Sequence, residues 1–239
     1  SHEIRTPMTG IIGAAELLES ISPDSEQTRL VEVILDSSYG LLGILNDILD
    51  LSKLEAGKME VQLEPLFLDE LMDNALNTFS VIASRKRVDL CYEINAAMPA
   101  YVCGDALRLR QVIINLVSNA IKFTDHGAIT TKVYPGDDGK TFYIDVIDTG
   151  VGIDDAAHTK IFDAFSQGGN GSDKRGGTGL GLAISKHLVD TMGGRIAFKS
   201  QLGQGSTFSI RLPLLSVKLD ERKVQDLAYT QPVYIFTDN

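Results

Sequence analysis

Cysteine is scarce in this chain, which has only Cys91 and Cys103 among its 239 residues. The two form neither a CxxC pair nor a spacing typical of a metal site. Two reduced thiols in a cytosolic protein are the simplest interpretation. We therefore expect no metal centre built on cysteine.

Long apolar runs are also missing. No run reaches the roughly 18 residues that a membrane-spanning helix needs, and no signal peptide is recognisable. We expect this part of the protein to be cytoplasmic and to make no membrane contact, while an upstream membrane anchor stays compatible with the sequence. The chain begins at Ser1-His2 without an initiator Met, so we expect it to be a fragment.

Basic residues are fewer than acidic ones. The chain has 22 Lys and Arg against 32 Asp and Glu, which gives a formal net charge of −10 and a pI near 4.8. An acidic chain is poorly suited to binding nucleic acid or an anionic membrane surface. We therefore expect no nucleic-acid partner. Hydrophobic residues make up 44% of the sequence, enough for a substantial core.

The first sixty residues predict two helices. Apolar residues recur at helical spacing from residue 2 to about residue 21, and Ser22-Pro23-Asp24 predicts a break followed by a new helix that reaches about Ala56. The second helix carries a near-heptad apolar seam of Ile34, Leu41, Ile44, Leu45, Ile48 and Leu51. Because two helices cannot enclose such a core, we expect pairing with a second copy in a four-helix bundle. Packing on the chain's other domain is the alternative.

The remainder, to about residue 215, predicts an α/β sandwich with a mixed, mostly antiparallel sheet. The predicted strands are 61–66, 88–94, 128–134, 141–147, 195–200 and 206–212. The predicted helices are 68–85, one that Asp105 caps and that continues to about residue 123, and 180–192. The fold class is therefore α+β, a helical hairpin followed by the sandwich.

The helix capped by Asp105 has a polar stripe opposite its apolar face. At ~100° per residue, one line along the helix contains Arg108, Gln111, Asn115, Asn119 and Lys122. A polar stripe ordinarily faces solvent, which is one interpretation. However, Asn is a poor helix former, so two Asn one turn apart favour amide oxygens that face a ligand such as hydrated Mg²⁺, with Lys122 towards phosphates.

Two glycine-rich stretches suggest a nucleotide. In residues 148–152, Gly150 and Gly152 allow close approach of a flat ligand, and Asp148 at a strand end can accept a hydrogen bond from an exocyclic amine such as that of adenine. A tight turn explains this stretch about as well. Residues 176–181 lead straight into a helix, where exposed N–H groups favour a polyphosphate. The spacing matches neither the Walker pattern nor a dinucleotide-binding unit.

A third candidate site is at residues 1–7. Glu3 neighbours His2, Thr6 lies one turn further, and Pro7 favours a kink. A neutral imidazole can attack a phosphoryl group while an adjacent carboxylate accepts its proton. The other histidines lack such neighbours.

Together these stretches resemble the sequence boxes of two-component sensor histidine kinases. Residues 2–7 resemble the H-box, 115–123 the N-box, 148–152 the first glycine box, 162–165 the F-box and 177–181 the second glycine box. The boxes occur in the family's order and cover residues 1 to about 215. The protein-kinase signatures HRD and DFG are absent. The sequences SHEIRTPM and FDAFSQ are similar to those of hybrid kinases, which carry receiver domains on the same chain.

The resemblance implies three parts. Residues 1–60 would form a dimerisation and histidine-phosphotransfer hairpin, 66–215 a GHKL-type ATP-binding catalytic domain, and 216–239 a linker and the first strand of a receiver-like domain. His2 would take the phosphoryl group, Glu3 would be its general base, and Thr6 would help position a water that dephosphorylates the partner.

The resemblance also implies ATP and Mg²⁺ as cofactors, with the metal held by Asn119 and Asn115. The implied nucleotide-binding residues are Asn115, Asn119, Lys122, Phe123, Asp148, Gly150, Gly152, Phe165, Lys174, Arg175, Gly177, Thr178, Gly179, Leu180, Gly181 and Thr207. Asp148 would read adenine, and Thr207 would join its pocket. The sequence departs from many relatives at Arg175, where they have an aromatic residue before the lid glycines. Lys174 and Arg175 would either reach the γ-phosphate or remain solvated lid charges.

The expected function is autophosphorylation on histidine by a homodimer, followed by transfer to a receiver aspartate on the same or a separate chain. One alternative is another GHKL ATPase of chaperone or topoisomerase type, but those lack the HExxTP helix. The second is a nucleotide-binding signalling module with weak kinase activity.

The tail predicts a strand at residues 232–239, which either extends the kinase domain or begins a receiver. Thr237 stands where a receiver's first acidic residue is expected, with Asp238 beside it. We therefore expect a degenerate receiver that docks and regulates.

Overall fold

The computed structural model describes residues 2–21, 25–55, 59–166 and 178–215. Its first part is a helical hairpin of α1 (His2–Ile21) and α2 (Ser25–Glu55), which confirms both predicted helices. Met8, Ile12, Ala15 and Val31 are buried between them. The Tyr39 hydroxyl donates a 2.7 Å hydrogen bond to Glu16 Oε1 across the hairpin. None of the described helices is both long enough and apolar enough to cross a membrane.

The apolar seam of α2 is largely uncovered. Four of its side chains keep between 38% and 45% of their surface exposed, namely Ile34, Leu41, Ile44 and Ile48. Leu51, at the end of the seam, instead packs against the core of the following domain. The hairpin therefore does not cover its own seam. The second domain covers only its last turns.

A five-stranded sheet forms the centre of the second domain. Its strands are β2 (Val88–Ile94), β4 (Gly127–Pro135), β5 (Thr141–Asp148), β6 (Arg195–Gln201) and β7 (Gly205–Pro213), in the order β2-β4-β5-β7-β6. The β2–β4 pair is parallel and the other three pairs are antiparallel. This confirms the predicted mixed, mostly antiparallel sheet. The parallel pair is possible because a long connection containing a helix joins its strands.

A second, two-stranded antiparallel sheet pairs β1 (Glu64–Phe67) with β3 (Tyr101–Gly104). The predicted strand 61–66 therefore starts too early, and β3 was not predicted at all. Pro65 is tolerated in β1 because each strand of a two-stranded ribbon has one edge that needs no hydrogen-bond donors.

Helices cover one face of the large sheet. The predicted helix 68–85 is in fact divided into α3 (Leu68–Leu76), a 3₁₀ turn (Asn77–Phe79) and α4 (Ser80–Lys86). The next helix, α5 (Ala106–Phe123), is capped as predicted, because the Asp105 carboxylate accepts a hydrogen bond from the backbone N–H of Arg108 at 3.0 Å. Helix α6 (Gly181–Thr191) follows. Buried residues of α5, including Val112, Ile113 and Val117, join those of β4, β5 and β7 in the core.

Candidate functional site

The polar stripe of α5 divides into two halves with different partners. Gln111 Nε2 donates to Asp50 Oδ2 of α2 at 2.8 Å, and Asn115 Nδ2 donates to Ser185 Oγ of α6 at 2.7 Å. These two residues therefore join α5 to its neighbouring helices. Asn119 is only half buried, and its side chain has no hydrogen-bond partner within the described ranges. Because Asn115 donates through Nδ2 only, the amide oxygens of both Asn115 and Asn119 have no hydrogen-bond partner among the described residues.

Lys122 lies one turn beyond Asn119. Desolvation by partial burial lowers the pKa of its ammonium. The Nζ atom lies 4.8 Å from the centroid of the Phe123 ring, and no carboxylate pairs with it in the part of the chain that the structure describes. A partly desolvated cation without a counter-ion is well suited to an anionic ligand such as a phosphate.

The first glycine box begins with Asp148, the last residue of β5, whose side chain is buried. Asp148 is 8% exposed, and its Oδ1 accepts a 2.9 Å hydrogen bond from the Gly150 N–H. Burial raises the pKa of this carboxyl, while hydrogen bonds from the Gly150 N–H and from the N–H and hydroxyl of Ser206 act in the opposite direction. Asp148 is therefore a shielded acceptor at the rim of the sheet.

Close packing explains the glycines of this box. A Cβ on Gly150 would lie 2.4 Å from the Phe123 carbonyl oxygen, and one on Gly152, whose φ is +70°, would lie 2.1 Å from the Gln201 carbonyl oxygen. The Val151 N–H donates to that same Phe123 oxygen at 3.2 Å. The loop is thus held between the end of α5 and the β6–β7 turn.

The strand register places Thr207 on a different face of the sheet from Asp148. The β5–β7 register pairs Asp148 with Ser206 and Ile147 with Thr207. Because side chains alternate along a strand, Thr207 points to the opposite face of the sheet from Asp148, and Ser206 is the residue beside the carboxylate. The buried alternation of Phe208, Ile210 and Leu212 is the signal that would have selected Ser206 from the sequence.

The second glycine box is described from Thr178 onwards. The Thr178 hydroxyl accepts from the Leu180 N–H at 3.1 Å, and Leu180 itself is fully buried. No side chain caps the start of α6 within the described residues, so its first N–H groups remain available for an anion. Gly181 permits close contact with α5, because a Cβ there would lie 2.2 Å from Asn115 Oδ1.

The F-box closes onto this glycine box. The Phe165 N–H donates to the Gly179 carbonyl at 3.0 Å. A Cβ on Gly179, whose φ is +70°, would lie 2.8 Å from Phe165 C and from Ser166 O. Phe165 itself has φ +63° and an exposed ring, whereas Phe162 packs against Phe198 with ring centroids 5.9 Å apart. Phe165 therefore lies where the described segment that ends at residue 166 meets the one that begins at residue 178.

The hairpin contacts the second glycine box directly. The Thr178 hydroxyl donates to Asp47 Oδ2 of α2 at 3.3 Å. Burial raises the Asp47 carboxyl pKa, the Thr178 hydrogen bond lowers it, and the nearby Asp50 charge raises it further. Because Tyr39 lies opposite Glu16 and the two helices run antiparallel, Asp47, about two turns beyond Tyr39, lies further towards the start of α1. The catalytic-domain boxes thus meet the hairpin near the end that carries the H-box.

Several predicted site residues cannot be described. Lys174, Arg175 and Gly177 lie outside the described residues. The backbone of residues 2–7 belongs to α1, but the side chains of His2, Glu3 and Thr6 are not among those described. In the described part of the chain no group of three His, Cys, Asp or Glu side chains could hold a metal ion, so a metal here would depend on amide oxygens and on the ligand's own phosphates.

Comparison with sequence families gives two matches. Residues 104–216 match the family described as "Histidine kinase-, DNA gyrase B-, and HSP90-like ATPase". Residues 1–57 match the family described as "His Kinase A (phospho-acceptor) domain". The two matches fall on the catalytic boxes and on the hairpin respectively.

Curated proteins with similar sequences are sensor and hybrid histidine kinases. The chain is 42% identical over 217 residues to Hybrid signal transduction histidine kinase B of Dictyostelium discoideum, covering 89% of this chain and 11% of that protein. It is 41% identical over 224 residues to Sensor histidine kinase GacS of Pseudomonas protegens, covering 92% and 24%. The chain thus spans between about a tenth and a quarter of the length of these relatives.

Solved structures show the same architecture. Full-length ShkA in complex with AMPPNP aligns with a TM-score of 0.77 and 34% identity, over 90% of this chain and 45% of that one. The catalytic domain of histidine kinase ThkA aligns with a TM-score of 0.55 and 28% identity, over 64% of this chain and 98% of that one. The first alignment extends over both the hairpin and the second domain.

Proposed function

The chain belongs to the sensor histidine kinases of two-component signalling, a family of ATP-binding protein-histidine kinases, and we propose that it phosphorylates His2 with ATP and then passes the phosphoryl group to an aspartate of a receiver domain. The observation that carries the proposal is the contact between Asp47 and Thr178. It supports a nucleotide site near the hairpin end where His2 lies.

The nucleotide would lie between α5, the two glycine boxes and the start of α6. The shielded Asp148 carboxylate would accept a hydrogen bond from the exocyclic amine of adenine, with Ser206 holding the carboxylate in place. Lys122 and the N–H groups at the start of α6 would bind the phosphates. The donor set fits Mg²⁺, since Asn119 and Asn115 offer amide oxygens that no described residue pairs with; these two residues would hold the ion, which would supply positive charge to neutralise the phosphates.

The chemistry at the hairpin is a phosphoryl transfer. One imidazole nitrogen of His2 would attack the γ-phosphorus, so that an N–P bond forms while the P–O bond to ADP breaks. Glu3 would accept the proton from the other ring nitrogen. Thr6 would position a water for the reverse task, dephosphorylation of the receiver. All three roles stay predictions from the sequence.

The partners would be a second copy of the chain and a receiver domain. The exposed seam of Ile34, Leu41, Ile44 and Ile48 is the apolar surface that the second copy would cover. The acidic charge of the chain continues to argue against a nucleic-acid partner, and we expect this part of the protein to work in the cytoplasm. The tail, 216–239, lies outside the described residues, so the degenerate receiver stays a prediction. A longer chain that contains the next domain and takes phosphate efficiently from His2 would contradict it.

Incubation with γ-labelled ATP and Mg²⁺ tests the proposal. We expect acid-labile, base-stable label on the protein. His2→Gln should abolish the label while ATP still binds, and Asn119→Ala should lose Mg²⁺-dependent labelling while the fold persists. Steady phosphate release without label would favour another GHKL ATPase instead. ATP binding with barely detectable label would favour a signalling module with weak kinase activity, and full labelling of His2→Gln would overturn the phosphoacceptor assignment.

A further inference from the structure

Lys86, the last residue of α4, reaches across to the C-terminal end of α5. Its ammonium donates to the Ile121 carbonyl oxygen at 2.6 Å and to the Thr124 carbonyl oxygen at 3.3 Å. The last carbonyls of a helix lack partners within the helix and carry the negative end of its dipole. A cation that binds them directly, and is itself half buried, fixes this helix end with charge-assisted hydrogen bonds.

The two carbonyls bracket residues of the candidate site. Lys122 and Phe123 lie between Ile121 and Thr124 in the chain. The Phe123 carbonyl oxygen accepts the Val151 N–H at 3.2 Å, and Gly150 passes so close to that oxygen that any Cβ would collide with it. The position of the first glycine box therefore depends on the position of the last turn of α5.

We propose that Lys86 is a positioning residue for the nucleotide site. It holds the last turn of α5 in place. The position of this helical turn fixes the first glycine box beside Asp148 and directs Lys122 towards the phosphates. Lys86 itself does not touch the nucleotide. The expected effect of Lys86 on ATP binding rests on the proposed function. The effect of Lys86 on the glycine box can be measured without any ligand.

A purely stabilising role for Lys86 makes a different prediction. Loss of a helix-capping cation would then lower the melting temperature and leave the nucleotide affinity of the folded protein unchanged. The neighbouring Arg85 offers a matched control, because it belongs to the same turn of α4 and carries the same charge, but its side chain is exposed. Met192 offers a control amide, since its N–H bonds to the Leu188 carbonyl at the far end of α6.

The test compares Lys86→Met, Lys86→Arg and Arg85→Met at a temperature where all three are folded. We expect Lys86→Met to bind ATP roughly three- to ten-fold more weakly, a change of about 0.7–1.4 kcal/mol. We expect faster hydrogen exchange at the Val151 amide and unchanged exchange at Met192. Lys86→Arg should keep most of the wild-type ATP affinity and of the wild-type protection at Val151. Arg85→Met should behave as wild type.

Unchanged ATP affinity and Val151 exchange in Lys86→Met, with only a lower melting temperature, would overturn the proposal. If wild type fails to bind ATP, the proposed function fails, whereas the exchange measurement still decides the role of Lys86. If Lys86→Met does not fold, Lys86→Gln, which keeps an uncharged donor, is judged by the same two measurements.

Discussion

Gln111 of α5 and Asp50 of α2 share a 2.8 Å hydrogen bond that joins the catalytic domain to the hairpin. Arg108 Nη1 donates to Gln111 Oε1 at 3.2 Å, so the amide donates to the carboxylate while it accepts from the guanidinium. Together with the Asp47–Thr178 contact, this bond holds the domain near the start of α1. A residue of the polar stripe that the sequence assigned to solvent or ligand thus has a docking role.

Removing this bond should slow autophosphorylation. The contact would keep the proposed nucleotide site close to His2, and a hydrogen bond to a charged group contributes about 1.5–3 kcal/mol. We therefore expect Asp50→Ala and Gln111→Ala each to reduce the initial labelling rate at saturating ATP by roughly five-fold or more. The double variant should be no slower than either single variant. ATP affinity, measured separately, should not change, and additive losses in the double variant would count against a direct interaction.

Replacing Ser206 should weaken nucleotide binding, whereas replacing Thr207 should not. Ser206 pairs with Asp148 in the sheet and lowers the pKa of its carboxyl, and its hydroxyl also lies 2.9 Å from Ser200 Oγ, so Ser206→Ala removes a polar group that helps to fix the carboxylate. We expect ATP affinity to fall by roughly five-fold. Thr207→Val, on the other face of the sheet, is the matched control. Titration calorimetry of both variants checks the expectation, and a larger loss in Thr207→Val would restore the residue that the sequence suggested.

Nucleotide affinity should fall at acidic pH before an ordinary aspartate would titrate. Burial raises the pKa of Asp148 above 3.8, and protonation removes the acceptor proposed for adenine. The effect on folding has the opposite sign. A carboxyl whose folded pKa is raised contributes stability below its unfolded pKa, and this contribution is lost as the pH rises through the folded pKa.

The measurement is the ATP dissociation constant between about pH 4 and pH 7, a range that includes the ordinary carboxyl pKa values. The melting temperature is recorded at each pH to confirm that the protein stays folded. Asp148→Asn should bind weakly throughout and lose the acidic decline. A decline that persists in Asp148→Asn would assign the titration to another group.

The α2 seam should hold two copies together. Light scattering at micromolar concentration should give twice the 25.9 kDa chain mass, because apolar side chains that are 38–45% exposed along one helix face form a continuous surface that a second copy would bury. Leu41→Glu combined with Ile48→Glu should give monomers. The control combines Leu107→Glu with Leu202→Glu, at two leucines of the second domain that are also exposed, and it should remain dimeric. A monomeric wild type would contradict the bundle.

Local patterns predicted most of the architecture. Helical spacing identified α1 and α2, strand alternation identified the large sheet, and Asp105 was recognised as a cap because its effect depends on the next few residues only. β3 was missed because four residues are too few to reveal an alternation. The 3₁₀ turn at Asn77–Phe79 was missed because apolar spacing continues through it.

The site was predictable where one element carries the chemistry, and not where two elements must meet. Asp148 ends a strand, and this much is visible in the sequence. The choice between Ser206 and Thr207 depends on how β7 aligns with β5. The division of the α5 stripe depends on where α2 and α6 lie, since Gln111 faces one and Asn115 the other. The alternation along β7 shows on which face Ser206 lies, but neither the pairing of β7 with β5 nor the packing of α2 and α6 is encoded in a local period.

The place of β7 in the sheet has a consequence for how the protein is made. β7 is the last strand of the described chain, yet it lies between β5 and β6 and supplies Ser206 to Asp148. The hairpin contacts are local, and local contacts form quickly, whereas distant strand pairings form late. A chain still on the ribosome can therefore form its hairpin early, but the proposed adenine pocket would be incomplete until residues 205–213 have emerged. The helix that carries His2 would thus form before the proposed nucleotide site is complete.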